Sequence, residues 1–340
     1  MRRVSLLSAC AAVSFVFASC STAPARHARA PIVLDDDGSW CWFQEERALI
    51  RAGKLLVGSV SSGHQDPQRR GDVNLLVHDI ETGTTRCVEL HDRLQVDDHD
   101  APGLEVLSDG RVIALYAGHG IDDLVCMRSF EEARDFGAWG PERAHEQRME
   151  QASGVTYSNV FRLAAEGGPR GRLYDFYRGE GWDPNAITSD DDGESWSEPQ
   201  RLLMGQGRPY VRYASNGRDR IDFICTDQHP RSADNSVYHG FLRGERIHRS
   251  RGLEIGTLGR VPVPPHALTQ VFPADPARVF FSTDADPVSG APLVSATDGE
   301  RHYELFEGRT TDGGAAYLLW LRGTYRTYQD FAQEVVALRL

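Results

Sequence analysis

The chain has 340 residues and a formal net charge of −12. That length holds one large β domain or two ordinary ones. The acid excess speaks against non-specific nucleic-acid binding, because a phosphate backbone calls for a basic surface.

The first 20 residues read as an export signal outside the fold. Arg2 and Arg3 make a basic start, and residues 6–17 are an apolar stretch too short to span a bilayer. The run ends at Phe17-Ala18-Ser19-Cys20, which resembles a bacterial lipobox and makes Cys20 the expected lipidation site and mature N-terminus. Phe in place of Leu keeps ordinary secretory cleavage near Ala18 or Ala30 as the alternative. Ser21 after the cysteine favours the outer membrane by analogy, and residues 21–30 read as a flexible tether. The expectation is an exported protein at the outer membrane or cell surface, with the periplasmic side left open. It would be monomeric and touch the membrane through its N-terminal lipid only.

Residues 31–340 carry no linker-like low-complexity stretch and are expected to form one domain. Short β-rich runs recur at 54–60, 73–79, 85–90, 103–107, 111–116, 160–163, 173–178, 210–213, 220–225, 236–241, 279–283, 316–322 and 333–340, with Gly, Asp, Asn and Pro between them. Residues 131–136 and 141–151 read as short helices or loops. The pattern predicts an all-β sandwich, barrel or propeller. The last strand is expected to complete a sheet begun near the N-terminus, which removes open edges.

Within this frame His99 and His119 stand out. The stretch between them, 103–116, reads as two strands joined at Ser108-Asp109-Gly110, a β-hairpin. A hairpin returns the chain to the end it left, so both imidazoles are expected at one sheet mouth, where they suit acid–base chemistry or ligand binding. Ordinary loop histidines bonded to Asp98 and Asp122 are the alternative.

Cys41, Cys87, Cys126 and Cys225 form no CxxC pair, which excludes a zinc ribbon or thioredoxin-type motif. Export permits disulfides, but spacing pairs none of them; Cys41 and Cys126 lie in apolar stretches and are expected in the core. Cys225, Asp227, His229 and His239 offer mixed donors for a structural metal ion. The first three alternate as on one strand face, but the spacing matches no zinc signature and Pro230 signals a turn, so no ligands are assigned.

Residues 189–196, Ser-Asp-Asp-Asp-Gly-Glu-Ser-Trp, fit Ser-x-Asp-x-Gly-x-x-Trp, the Asp-box of sialidase-type propellers. In such a box the Asp closes a tight turn, Gly takes the positive φ and Trp plugs the core. A weaker echo is Ser295-Ala296-Thr297-Asp298-Gly299. Dividing residues 31–340 by seven gives about 44 per unit, a usual blade length, so a seven-bladed β-propeller is expected.

Several segments then follow in order: 40–48 (Trp-Cys-Trp-Phe-Gln-Glu-Glu-Arg-Ala), 97–102 (Asp-Asp-His-Asp-Ala-Pro), 157–163 (Tyr-Ser-Asn-Val-Phe-Arg-Leu), 172–179 (Arg-Leu-Tyr-Asp-Phe-Tyr-Arg-Gly), the Asp-box, 208–217 and 226–230. Together they resemble the BNR-repeat (Asp-box) propeller family that includes ulvan lyases and rhamnose–glucuronate lyases, over roughly residues 35–245. Val160 stands where the family commonly has proline. The resemblance implies β-elimination at a uronic acid of an anionic polysaccharide, with no cofactor required. It implies catalytic roles for His99, His119, Tyr157 and Arg178. Tyr157 would be the base, with a share in acid catalysis, and Arg178 would neutralise the carboxylate, with His99 or His119 assisting or sharing proton transfer. Cationic neighbours are expected to lower the Tyr157 pKa. Arg208, Tyr210 and Tyr213 are the candidates for holding the sugar chain. The same family has an α-L-rhamnosidase branch, and a non-catalytic glycan-binding propeller is the third reading. The Arg triad, Tyr and Glu of hydrolytic sialidases cannot be assembled here.

Overall fold

The computed structural model describes residues 30–274, except 42–43, 45–46, 133–135, 137, 150–153, 206, 231–234 and 262, together with 301–308 and 315–339. The Cys20 lipobox, the tether up to residue 29, the run at 279–283 and the Asp-box echo at 295–299 lie outside the described residues. No helix among the described residues is long and apolar enough to cross a membrane.

The architecture is all-β, and its strands fall into consecutive antiparallel sheets. Strand β1 (Ile32–Asp35) leaves the strands that follow it in sequence. The first sheet is β2 (Ala48–Arg51), β3 (Lys54–Val60), β4 (Val73–Asp79) and β5 (Thr85–His91). The second is β6 (Gly103–Val106), β7 (Val112–Tyr116), β8 (Leu124–Ser129) and β9 (Arg143–Glu146). The third is β10 (Thr156–Leu163), β11 (Arg172–Arg178), β12 (Pro184–Ser189) and β13 (Gln200–Arg201). The fourth holds β14 (Val211–Ser215), β15 (Ile221–Thr226), β16 (Val237–Arg243), β17 (Arg246–Arg249) and β18 (Glu254–Thr257), with β19 (Thr269–Phe272) paired to β16. The fifth is β20 (Arg301–Gly308), β21 (Ala315–Thr327) and β22 (Asp330–Arg339), completed by β1, whose Ile32 faces Ala337.

The first strands β2, β6, β10 and β14 lie each beside the next, and β20 lies beside β2. This is the disposition of propeller blades about an axis. The N-terminal strand completes the C-terminal sheet, as the sequence leads one to expect. Five sheets are present among the described residues, against seven expected blades. The fourth sheet occupies 211–272 and carries six strands, a longer unit than the 44 residues expected. The stretch expected as helix or loop at 141–151 contains strand β9 instead.

The core sits between neighbouring sheets. Leu55, Val57 and Leu76 of the first sheet pack on Leu319, Leu321 and Val335 of the fifth. Leu56, Leu75 and Val77 meet Leu104, Val112 and Tyr116 of the second. Ile113, Leu115 and Met127 meet Val160, Leu173 and Ile187 of the third, and Phe161, Tyr174 and Phe176 meet Tyr213, Phe223 and Leu242 of the fourth. Each fully buried side chain of this size contributes about 1.5–3 kcal/mol before entropy is charged against it. Cys41, Cys126 and Cys225 are buried, and all four described cysteines are free thiols.

The Asp-box joins β12 to β13. Asp191 accepts from the Ser195 backbone N–H at 2.9 Å and from the Ser195 hydroxyl at 2.6 Å, and the Ser189 hydroxyl lies 2.8 Å from it. Gly193 sits at φ +82°, and Trp196 Nε1 points at Met127 Sδ, 3.2 Å away. In the β11–β12 ladder Leu173 faces Ser189 while Arg178 faces Pro184. The Asp-box and Arg178 therefore lie at opposite ends of one sheet.

Candidate active site

The β6–β7 hairpin forms as expected, in register from Gly103↔Leu115 to Val106↔Val112. His99, just before it, and His119, just after it, are thereby brought together. His99 lies in a single turn, Asp98–Asp100, whose cap Asp97 accepts the His99 backbone N–H at 3.1 Å. The two imidazoles stack with centroids 4.1 Å apart and planes 19° from parallel. One carboxylate serves both: Asp97 Oδ1 is 2.7 Å from His99 Nδ1, and Asp97 Oδ2 is 2.9 Å from His119 Nδ1. Asp98 Oδ1 is also 2.6 Å from His99 Nδ1. Asp122 does not join them; it accepts from the Leu124 backbone N–H at 3.0 Å.

The shared environment separates the two rings. Burial opposes a charge on His99, but the Cys41 sulfur and the Asp98 and Asp97 carboxylates outweigh it and raise its pKa well above the ordinary value. His119 moves the other way. Burial is the largest effect, and cationic His99 and Arg178 add to it against the pull of Asp97, so its pKa is lowered. Asp97 resists burial because both imidazoles hydrogen-bond to it, and its pKa is depressed. The pair thus rests as one imidazolium and one neutral ring. Arg178 Nη2 donates to His119 Nε2 at 2.9 Å, which assigns the His119 proton to Nδ1, facing Asp97.

Arg178 ends β11 and is only 7% exposed. Its guanidinium also bonds Thr156 Oγ1 and the Tyr210 hydroxyl, both at 3.2 Å. It lies 5.2 Å from the Tyr157 ring centroid and 5.1 Å from that of Trp182. No carboxylate pairs with it among the described residues, and its Nε has no partner. A buried cation without a counter-ion is unfavourable, and an incoming anion relieves that.

Tyr157 occupies a β-bulge, where the β10–β11 register slips between Thr156 and Asn159. Its φ is +72°, a left-handed conformation that costs of order 1–3 kcal/mol for a side-chain-bearing residue. The bulge turns its ring onto His99, stacked at 5.0 Å. Arg47 secures the bulge by donating to the Ser158 carbonyl, and the Ser158 hydroxyl bonds Asp175 Oδ2 at 3.2 Å. Asp175 is wholly buried, and that burial pushes its pKa up to about 7. The expectation that cations lower the Tyr157 pKa is not met. Burial, Cys41 and Tyr210 raise it well above 10, and Arg178 offsets only part of this. The free site therefore holds Tyr157 as a protonated phenol.

The binding candidates divide. Arg208 is exposed and lies over the Trp182 ring at 4.1 Å. Tyr210 meets Arg178 on one side, and its hydroxyl is 3.2 Å from His229 Nε2 on the other. Tyr213 is a core side chain stacked on Phe176 at 4.5 Å that also lines the pocket wall. A pocket open to solvent lies among Tyr157, Arg178, Tyr210 and Tyr213, and no side chain lining it is a carboxylate.

Sequence reasoning did not single out Asp97, Trp182 or Tyr328 as working parts, and it weighed His229 only as a metal donor. Asp97 stood inside the segment carrying His99, and Trp182 follows Arg178 by four positions. Tyr328, whose ring meets both imidazoles edge-on, lies in the C-terminal third, where no motif points to it.

The donors considered for a metal do not converge. Ile224 pairs with His239 and Cys225 with Tyr238, so Cys225 and His239 take opposite faces of the sheet. His239 is held by Ser250 and Asp222, and Asp227 accepts from the Ser236 backbone N–H. Among the described residues, the sets whose donor atoms come within 4.8 Å are Cys41–Asp98–His99 and Asp97–His99–His119. Their 2.6–2.9 Å nitrogen–oxygen separations suit hydrogen bonds, since ligands of a tetrahedral zinc stand roughly 3.3 Å apart.

Residues 67–271 match the model of the BNR repeat-containing family, more than half of the chain, and the chain belongs to that family. No curated protein matches it by sequence. Among solved structures, an ulvan lyase of polysaccharide lyase family PL25, bound to -[GlcA(1-4)Rha3S]-, aligns at TM-score 0.52 and 12% identity, over 92% of this chain and 72% of that one. A second PL25 ulvan lyase structure aligns at 0.51 and 12% identity with the same coverage. An α-L-arabinofuranosidase from Fusarium graminearum aligns at 0.45 and 10% identity, over 91% of this chain and 98% of that one. At these identities the likeness is one of fold.

Proposed function

We propose that this protein is an exported polysaccharide lyase that cleaves a rhamnose–uronate glycan at the uronic acid by β-elimination. The observation that carries the reading is Arg178, a buried guanidinium without a carboxylate partner, beside one charged imidazole, one neutral imidazole and a protonated phenol. The carboxylate-free pocket lining supports it against the two-carboxylate hydrolases. The uronate–rhamnose ligand of the PL25 ulvan lyase supports the choice of substrate class.

In this reading the uronate carboxylate takes the N–H groups of Arg178, including the one now aimed at His119 Nε2. That frees the Nε2 lone pair. His119 Nε2 removes the C5 proton, the electrons form the C4=C5 double bond, and the C4–O bond breaks. Tyr157 gives its proton to the departing oxygen, and its phenolate is stabilised by Arg178 and the His99 imidazolium. His119 as base and Tyr157 as acid follow from the directions of their pKa shifts and revise the roles implied by the family resemblance. Arg208 on Trp182, with Tyr210, grips the chain beyond the reacting sugar. The seven-bladed form, monomeric state and anchorage of Cys20 in the outer membrane belong to the same proposal, which requires no cofactor.

The test is ultraviolet absorbance of a 4,5-unsaturated uronate while the protein acts on rhamnose–uronate polysaccharides, ulvan and gum-arabic-type arabinogalactan included. A rise that is lost in His119→Ala and Tyr157→Phe is expected. On the acid side kcat/KM should fall only below pH 6.5, because the His119 pKa is lowered from 6.5 and its base form must be present. Free rhamnose without absorbance would move the protein to the α-L-rhamnosidase branch. Unchanged polymer that is still bound would make it a glycan-binding propeller.

A further inference from the structure

The β21–β22 hairpin is longer than the sheet it belongs to. Strand β20 pairs with β21 only as far as Arg322, and β1 meets β22 only from Val335 onward. Between those points residues 323–333 pair as a two-stranded ribbon, joined at its base by the Gly38 backbone N–H, which donates to the Gln333 carbonyl at 2.9 Å. The ribbon lands on the turn that holds the histidines. The Tyr328 carbonyl accepts from the Asp98 backbone N–H at 3.0 Å, and Gln329 Nε2 reaches Asp97 Oδ2 at 3.4 Å. The Tyr328 ring stands edge-on to His99 at 5.4 Å and to His119 at 5.0 Å. Its ring thus touches both members of the pair, while its backbone and its neighbour's amide hold the two aspartates that orient them.

The ribbon serves the core through Phe331, which is buried between the first and fifth sheets. Its own tip is solvated, with an Arg326–Asp330 ion pair at 3.4 Å between largely exposed side chains, which gives little energy. What the tip contributes is made at Asp97, Asp98 and the imidazole edges. Such contacts fix tautomer and ring orientation, as outer partners do for any working histidine.

We propose that Tyr328 and Gln329 are positioning residues for the His99–His119 pair. They lock the Asp97–Asp98 turn and wall the open edge of both rings, so that His119 keeps its proton on Nδ1 and its lone pair toward Arg178. The catalytic consequence rests on the lyase reading; the positioning does not.

The experiment is imidazole nitrogen NMR across a pH series on the folded protein, with polymer turnover alongside, for Tyr328→Ala, Tyr328→Phe and Gln329→Ala. The groups facing the pair are Asp97, Asp98, Asp100, Cys41, Tyr157 and Arg178, and all are kept. Tyr328→Ala should displace the signals of both imidazoles and move the His119 midpoint by about half a pH unit or more. It should lower kcat about tenfold with KM nearly unchanged. Tyr328→Phe should restore both readouts. Gln329→Ala, at an exposed side chain, should shift the same signals less, and it decides the matter if Tyr328→Ala does not fold. Imidazole signals unmoved in the folded variants would overturn the proposal. If the wild-type protein cleaves none of the polymers, the lyase reading fails, and the NMR arm still decides on positioning.

Discussion

The Asp-box lies at the opposite end of the third sheet from Arg178, the cation of the histidine mouth, and the two regions solve opposite problems. Around Asp191 the partners lie within four residues in sequence. At the mouth, His119 meets Arg178 across 59 positions and Asp97 meets Gln329 across 232. There Arg178 lacks an anion, and Tyr157 is held in a left-handed backbone. A structural corner closes its own valences, whereas a working site leaves some open for a visitor. Stability should therefore reside at the first and chemistry at the second.

The largest test of that division is Arg178→Met. It should reduce unsaturated-uronate formation about 10³-fold, the scale of losing a principal charge stabiliser. Removing a buried cation without a counter-ion should leave thermal unfolding unchanged or slightly later. A melting point lowered by many degrees would make Arg178 a structural residue and erase the contrast. Asp175→Asn sharpens it from beneath the bulge. The Asp175 pKa is raised from 3.8 to about 7, so the folded state holds this proton more tightly than the unfolded one. Its contribution is full below pH 3.8 and is lost as pH climbs through about 7. The variant should flatten the stability–pH curve in that window, by about 4 kcal/mol at most, as read by urea unfolding at several pH values. Asp191→Ala should lower stability by about 2 kcal/mol through the orphaned Ser195 and Ser189 groups, with kcat of the folded protein intact. The smallest effect belongs to Tyr213→Phe. Its ring is core, so polymer KM should change less than about twofold by titration of the initial rate.

What could be read from sequence follows the same line. The Asp-box and the β6–β7 hairpin were legible because a turn and its partners lie within a few residues of one another. The hairpin alone was enough to bring His99 to His119. The bulge at Tyr157 was not, since a tyrosine at φ +72° leaves no mark that glycine would. Its raised pKa was missed because burial is a property of the packed sheets, and the cations expected at the site suggest the reverse. Tyr328 was invisible for want of a local pattern. The six strands gathered in the fourth sheet were not legible either, because an average unit length says nothing about how strands are shared among sheets.

The pairing of β1 with β22 also imposes a timetable. Ile32 waits for Ala337, roughly 300 residues later, and at 5–20 residues per second that is about 15–60 s of synthesis. Until then β1 is an unclaimed edge, open to any strand that offers hydrogen bonds. The ribbon that reaches Asp97 is made in the same final moments as β22. Closure of the β1–β22 sheet and completion of the histidine pair's surroundings thus fall at one moment, and a nascent chain that has not reached β22 has neither.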